Sequence, residues 1–160
     1  MNTFTLVHVI ISLVAIVSGF FAVAGLLASR LSRVATALFL STTVLTSLTG
    51  FLFPIHGFTP ALGTGIVSVA VLALTLYALY GRKLTGRWRT VYVVTAVLAL
   101  YLNFFVLVVQ SFLKIPALNA LAPTQKEPPF AIAQAAALVL FVVLGFLAVK
   151  RFRPGVPAPA

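Results

Sequence analysis

The sequence predicts an all-α integral membrane bundle of about five transmembrane helices. Three observations carry this reading. Hydrophobic residues make up 62% of the 160-residue chain and charged residues only 8%. A soluble domain keeps roughly a quarter of its residues charged, so most of this chain's surface is matched to lipid rather than water. The basic residues also fall in short clusters between long apolar runs, which is how membrane topology determinants are spaced.

A helix crossing about 30 Å of hydrocarbon needs about 20 residues. The apolar runs that meet this requirement cover 4–28, 34–55, 61–80, 91–113 and 130–149. The first begins without a Lys or Arg in Met1 to Phe4 and is too long for a signal-peptide core, so it is expected to be a retained helix. Arg30-Leu31-Ser32-Arg33 ends it and starts the second. Pro54 to Pro60, with Gly57 for the turn, separates the second run from the third. The basic stretch Gly81 to Arg89 follows, and is expected to be too short to hold structure. Lys114 to Pro129, with Pro116, Pro123, Pro128 and Pro129, is the longest connection. Residues 1–153 then form one bundle, and the tail 154–160, with Pro154, Pro157 and Pro159, is expected to be disordered.

An odd number of crossings puts Arg30 and Arg33, Arg82 to Arg89, and Lys150 to Arg153 on one side, leaving only Lys114 and Lys126 on the other. The excess of basic residues on cytoplasmic loops then predicts an outside N-terminus and a cytoplasmic C-terminus. The net charge of +10 is accounted for in this way, and a nucleic-acid partner is not expected.

Small residues set where helices approach closely in lipid. Ser12, Ala15, Gly19 and Ala22 form such a stripe on the first helix, and Thr42, Thr46 and Gly50 on the second. Ala61, Gly63, Gly65 and Ser68 begin the third. On the fourth, Tyr92, Ala96, Ala99, Asn103, Val106 and Gln110 follow one seam, and a mid-membrane carboxamide at Asn103 must face a helix or a wet cavity.

Polar side chains converge at the outer end: His8, His56, Gln110, Gln134 and Glu127, the one acidic residue. Three ligand chemistries fit this set. His8 and His56 could hold haem, since imidazole is an axial ligand. The same two histidines, with Glu127, are the plausible ligands for a divalent metal. A quinone or lipid-like molecule could set its head against His or Gln and its tail between helices. Set against these is the plain structural reading, in which His and Gln at helix ends bond loop carbonyls, and no bound cofactor is required.

Catalysis is poorly provided for. No carboxylate pair exists for acid–base work, there is no cysteine, and no motif places a histidine base beside a Ser or Thr nucleophile. No predicted span carries a carboxylate of the kind proton-driven carriers use. The expected function is a non-enzymatic scaffold or accessory subunit, in contact with the lipid bilayer and with a second copy or another membrane protein. A redox-associated protein binding haem or quinone is the alternative, and a passive channel lined by Thr42, Thr46, Asn103 and Gln110 the third reading.

Three stretches carry a resemblance: Thr49-Gly50-Phe51-Leu52-Phe53-Pro54-Ile55-His56-Gly57-Phe58-Thr59-Pro60, Leu100 to Gln110, and Pro116 to Gln125. Together they resemble a group of small bacterial inner-membrane proteins with no assigned activity, over about residues 35–150. The resemblance implies a bacterial inner-membrane location and assigns no functional residues.

Overall fold

The computed structural model describes residues 2–54 and 57–155. It is an all-α helical bundle: α1 (Thr3–Leu27), α2 (Arg33–Gly50), α3 (Pro60–Leu76), α4 (Trp88–Lys114), the short α5 (Pro116–Leu121) and α6 (Pro128–Arg151). Ile55, His56 and 156–160 lie outside the described residues, so the expected disordered tail is not addressed beyond the turn at Pro154 and Gly155.

The helix starts follow local chemistry. Asn2, Ser32 and Thr59 cap α1, α2 and α3, each side-chain oxygen accepting from a backbone N–H three residues on. Pro60, Pro116 and Pro128 occupy first helical positions, where a missing N–H costs nothing. α3 ends in a π-helical turn, Tyr77–Gly81, in which Arg82 N–H donates to Tyr77 O at 2.8 Å. A β-carbon on Gly81 would stand 2.7 Å from the Tyr77 ring, so a larger residue there would displace that ring. The basic loop that follows is a defined turn, with Lys83, Leu84 and Gly86 at positive φ. It delivers Trp88 edge-on to Tyr77, with ring centroids 5.1 Å apart.

Side-chain contacts place the long helices antiparallel in sequence. His8 meets Thr49, while the position of a β-carbon on Gly25, farther along α1, lies near Ser32. Phe112 packs on Phe130 at one end of α4 and α6, and Arg89 reaches Val149 O and Phe152 O at the other. Arg153 N–H donates to Ser29 Oγ at 2.9 Å, closing that end. The three basic clusters therefore share one end of the bundle, and His8, Lys114 and Glu127 lie at the opposite end.

Among the described residues, four helical segments are long and apolar enough to cross a membrane: Thr3–Leu27, Pro60–Gly81, Trp88–Lys114 and Pro128–Arg151. Of the five expected runs, α2 is the one that does not qualify by length and composition, although it runs antiparallel to α1 between the two ends. The second run, expected over 34–55, is helical only to Gly50. At 18 residues it measures roughly 27 Å. It also carries Arg33 and seven hydroxyl side chains: Thr36, Ser41, Thr42, Thr43, Thr46, Ser47 and Thr49. The hydroxyls survive among helices because several bond back one turn, as Ser41 does to Ala37 O and Thr49 to Leu45 O, both at 2.6 Å. α2 packs chiefly along α1.

The core sits toward the basic end, where Leu26, Phe39, Tyr92, Val93, Leu100 and Phe152 are fully buried. Ala15, Gly19 and Ala22 of the α1 stripe are buried as the sequence implies. On α2, however, the buried face is Thr36, Phe39, Leu40, Thr43 and Ser47 rather than the stripe through Thr42. α6 is the most peripheral long helix, with Ile132, Val139, Val142 and Phe146 exposed on an apolar face suited to lipid.

Candidate functional site

A cavity of about 500 Å³ opens between α1, α2, α3 and α4 at the end opposite the basic clusters. Its walls follow Thr5 to Ile16 on α1 and Leu102 to Lys114 on α4, roughly 17 Å of helix at 1.5 Å per residue. α2 contributes Thr46, Ser47 and Gly50, and α3 contributes Ala61, Thr64, Gly65 and Ser68. The small residues expected to draw α2 and α3 into tight packing line a void here instead. The Phe51 ring stands 3.3 Å from a β-carbon position on Gly65, and His8 Cε1 stands 3.8 Å from that of Gly50.

The lining is apolar with a sparse set of polar groups, the usual make-up of a small-molecule site. On α4 the polar groups form a ladder at helical spacing: Lys114, Gln110 four residues earlier, and Asn103 seven before that. Asn103 Nδ2 donates to Thr43 Oγ1 at 3.0 Å, so this carboxamide is engaged between helices as its position required. Among the described residues, no hydrogen-bond partner reaches the buried Thr46 Oγ1.

His8 Nδ1 lies 2.7 Å from Thr49 Oγ1. The Thr49 hydroxyl also lies 2.6 Å from Leu45 O, to which it donates. The network then assigns the proton of His8 to Nδ1 and leaves Nε2 as an acceptor. Phe53 packs edge-on to the imidazole at 5.0 Å, and Phe4 lies 4.9 Å from Phe53.

Of the residues singled out from sequence, His8, Asn103 and Gln110 meet in this cavity, and Thr46 joins them. Gln134 reaches the same end but faces another side of α4, where its Nε2 donates to Phe105 O at 3.3 Å. Thr42 bonds back to Leu38 O and Phe39 O and is not part of the lining. His56 lies outside the described residues. Among the described residues, no three His, Asp or Glu side chains come together as a metal-binding group. Toward the basic end the closely packed side chains of Phe39, Leu100 and Tyr92 succeed the cavity.

Sequence reasoning missed Lys114, Ser12, Ser47, Ser68 and Thr64 as lining residues. Lys114 was readable, since it falls four residues after Gln110 on the same helical face. The loop after α4 is also more ordered than its prolines suggest. Asn119 Nδ2 donates to Phe112 O at 3.1 Å and Gln125 Nε2 to Val109 O at 2.8 Å, folding α5 back over the end of α4.

Glu127 stands at the start of α6, outside the spans. Desolvation, the largest single influence, pulls its carboxyl upward, but hydrogen bonds from Thr124 Oγ1 and from the backbone N–H groups of Glu127, Thr124 and Lys126 together outweigh it. They hold the carboxyl below the usual carboxylate range.

Compared with family models, curated proteins and solved structures, the chain matches none.

Proposed function

We propose that this chain is a non-enzymatic membrane component that holds a lipid-soluble, quinone- or lipid-like molecule in the outer-end cavity. The observation that carries the reading is the cavity itself. It joins an apolar interior to a ladder of polar groups on one helix face, with His8, Gln110 and Lys114 toward the mouth and Asn103 at depth. A ligand of this class would place its head among the first three and its body between α1 and α4. The scaffold role expected from sequence is compatible with this, as an accessory subunit that carries the ligand within a larger assembly.

The same reading places the chain in a bacterial inner membrane, with the basic end in the cytoplasm and the cavity mouth outward. Supporting it are the resemblance of three stretches to bacterial inner-membrane proteins and the gathering of Arg30, Arg82, Arg89 and Arg151 at one end. Because the chain has no cysteine, single cysteines at Thr85 and Ala120 test the orientation directly. In intact spheroplasts an impermeant maleimide should label Ala120→Cys and spare Thr85→Cys; the opposite pattern rejects it.

The binding reading is tested by extracting the protein in native lipid discs and identifying retained small molecules by mass spectrometry. Wild type should carry one amphiphile in stoichiometric amount. Gly50→Leu, which extends a side chain beside His8 and improves helix propensity, should lose it while staying folded. Wild-type discs holding only bulk lipid would refute the proposal.

A further inference from the structure

We infer that the molecule held in the outer-end cavity is a single-chain acid, its anionic head against Lys114 and its apolar chain running down toward Asn103. The inference rests on the binding reading above and adds the chemistry of the head group.

The charge balance of the site carries it. Lys114 closes α4 and lines the cavity mouth. The chain contains one acidic residue, Glu127, so no carboxylate on α1, α2, α3 or α4 can answer this cation. Glu127 itself is tied into its own turn by Thr124 and Lys126. Lys114 is exposed at the mouth and free to meet an incoming anion, and a charge-assisted bond to it is roughly twice as strong as a neutral one, so a ligand that carries a negative head is favoured over its neutral counterpart. One turn deeper, Gln110 offers an amide that can donate to a second oxygen of the same head. Below Gln110 the lining is mostly apolar, with Leu107, Val106, Leu102, Val9 and Ile16 among short hydroxyls such as Ser12 and Ser47, so the depth of the cavity suits an unbranched apolar chain that ends near Asn103. A volume of about 500 Å³ lies within the usual range of about 300–1,000 Å³ for small-molecule sites, which suits one chain rather than a two-chain lipid.

The probes are palmitic acid and its neutral counterpart 1-hexadecanol, with partition measured at pH 8 into discs of phosphatidylcholine that are empty or contain the full-length protein. Expected is binding above empty discs for both, with the acid at least tenfold tighter. Lys114→Gln should bring the acid down to the level of the alcohol, and Lys114→Arg should keep the preference. Equal binding of acid and alcohol, or an acid preference that survives Lys114→Gln, overturns the inference while leaving the cavity as a ligand site. Tighter binding of a neutral quinone than of the acid does the same. If no probe binds above empty discs, both the inference and the binding reading fall. Gly50→Leu provides the folded control in which neither probe should bind.

Discussion

Asn103 on α4 donates to Thr43 on α2 at 3.0 Å, and this bond crosses the bundle at the depth where the outer cavity gives way to packed core. Thr43 is fully buried, so its hydroxyl cannot exchange the bond for water without opening the helices, whereas Asn103 is part-buried and also lines the cavity. Hydrogen bonds of this kind between membrane helices average about 0.6 kcal/mol and reach about 1.7, because the unfolded chain in lipid finds other partners. The pair should therefore show a modest coupling rather than act as an anchor. A double-mutant cycle with Asn103→Leu and Thr43→Val, followed by unfolding in mixed micelles, should return a coupling of roughly 0.6–1.7 kcal/mol. A coupling of zero would mean that the two side chains act independently.

Gly19 marks the closest approach of three helices. A β-carbon there would stand 2.5 Å from Leu100 Cδ1 and 2.9 Å from Phe39 Cδ2. Both neighbours are almost completely buried, at 0% and 1% exposure, and so have no free space into which to turn. Gly19→Ala should cost about 1–3 kcal/mol through overpacking, seen as a lower Tm in detergent. Leu100→Ala should recover part of that loss in the double variant, even though it is destabilising alone. An unchanged Tm for Gly19→Ala would show that α1 does not sit this close to α4.

One carboxyl side chain contributes to the acid side of the pH response. Glu127 has a carboxyl held below its ordinary value of 4.5 by bonds from Thr124 and nearby backbone N–H groups. A carboxyl depressed in the folded state stabilises it above the unfolded pKa, and that contribution is lost as pH falls through the depressed folded value. A carbon-detected NMR titration should place the Glu127 midpoint below 4.5. Thr124→Ala should move that midpoint back upward. If both proteins titrate at the ordinary value, the turn before α6 is not held by this carboxylate.

These predictions separate what residue order made legible from what it hid. The apolar runs of α1, α3, α4 and α6 were readable because lipid imposes both length and composition on a spanning helix. α2 was misjudged because its leucines and valines looked continuous, while Thr36, Thr43 and Ser47 supply the face it buries. Elsewhere on α2, Ser41, Thr42 and Thr49 bond back to carbonyls one turn earlier, which hydropathy does not weigh. The convergence of His8 and Gln110 at the outer end was visible in the sequence, with Asn103 read separately as a mid-membrane group facing a helix or a wet cavity. Its shape was not, because small residues such as Gly50 and Gly65 serve equally to close a helix pair or to leave a void. Helix order around the bundle decides between those outcomes, and a single sequence does not encode that order in any local pattern. It also sent Gln134 to the other side of α4, against Phe105 O.

Arg89 provides the most direct test of the basic end. Its guanidinium, at the start of α4, donates to Val149 O and Phe152 O, carbonyls at the end of α6 that have no helical N–H ahead of them. The positive charge also suits the negative end of the α6 dipole. Hydrogen bonds from a charged donor contribute about 1.5–3 kcal/mol where they are shielded, and Arg89 is only half-buried, so the lower part of that range applies. Arg89→Gln removes the charge and shortens the reach, which should let the last turn of α6 fray. Lys150 and Arg151 lie in that turn, and fraying exposes both to trypsin. Limited proteolysis of the variant in detergent should therefore cut at Lys150 or Arg151 several times faster than in wild type, with the spans left intact. Equal rates would show that Phe152, buried against the core, holds the helix end without the guanidinium.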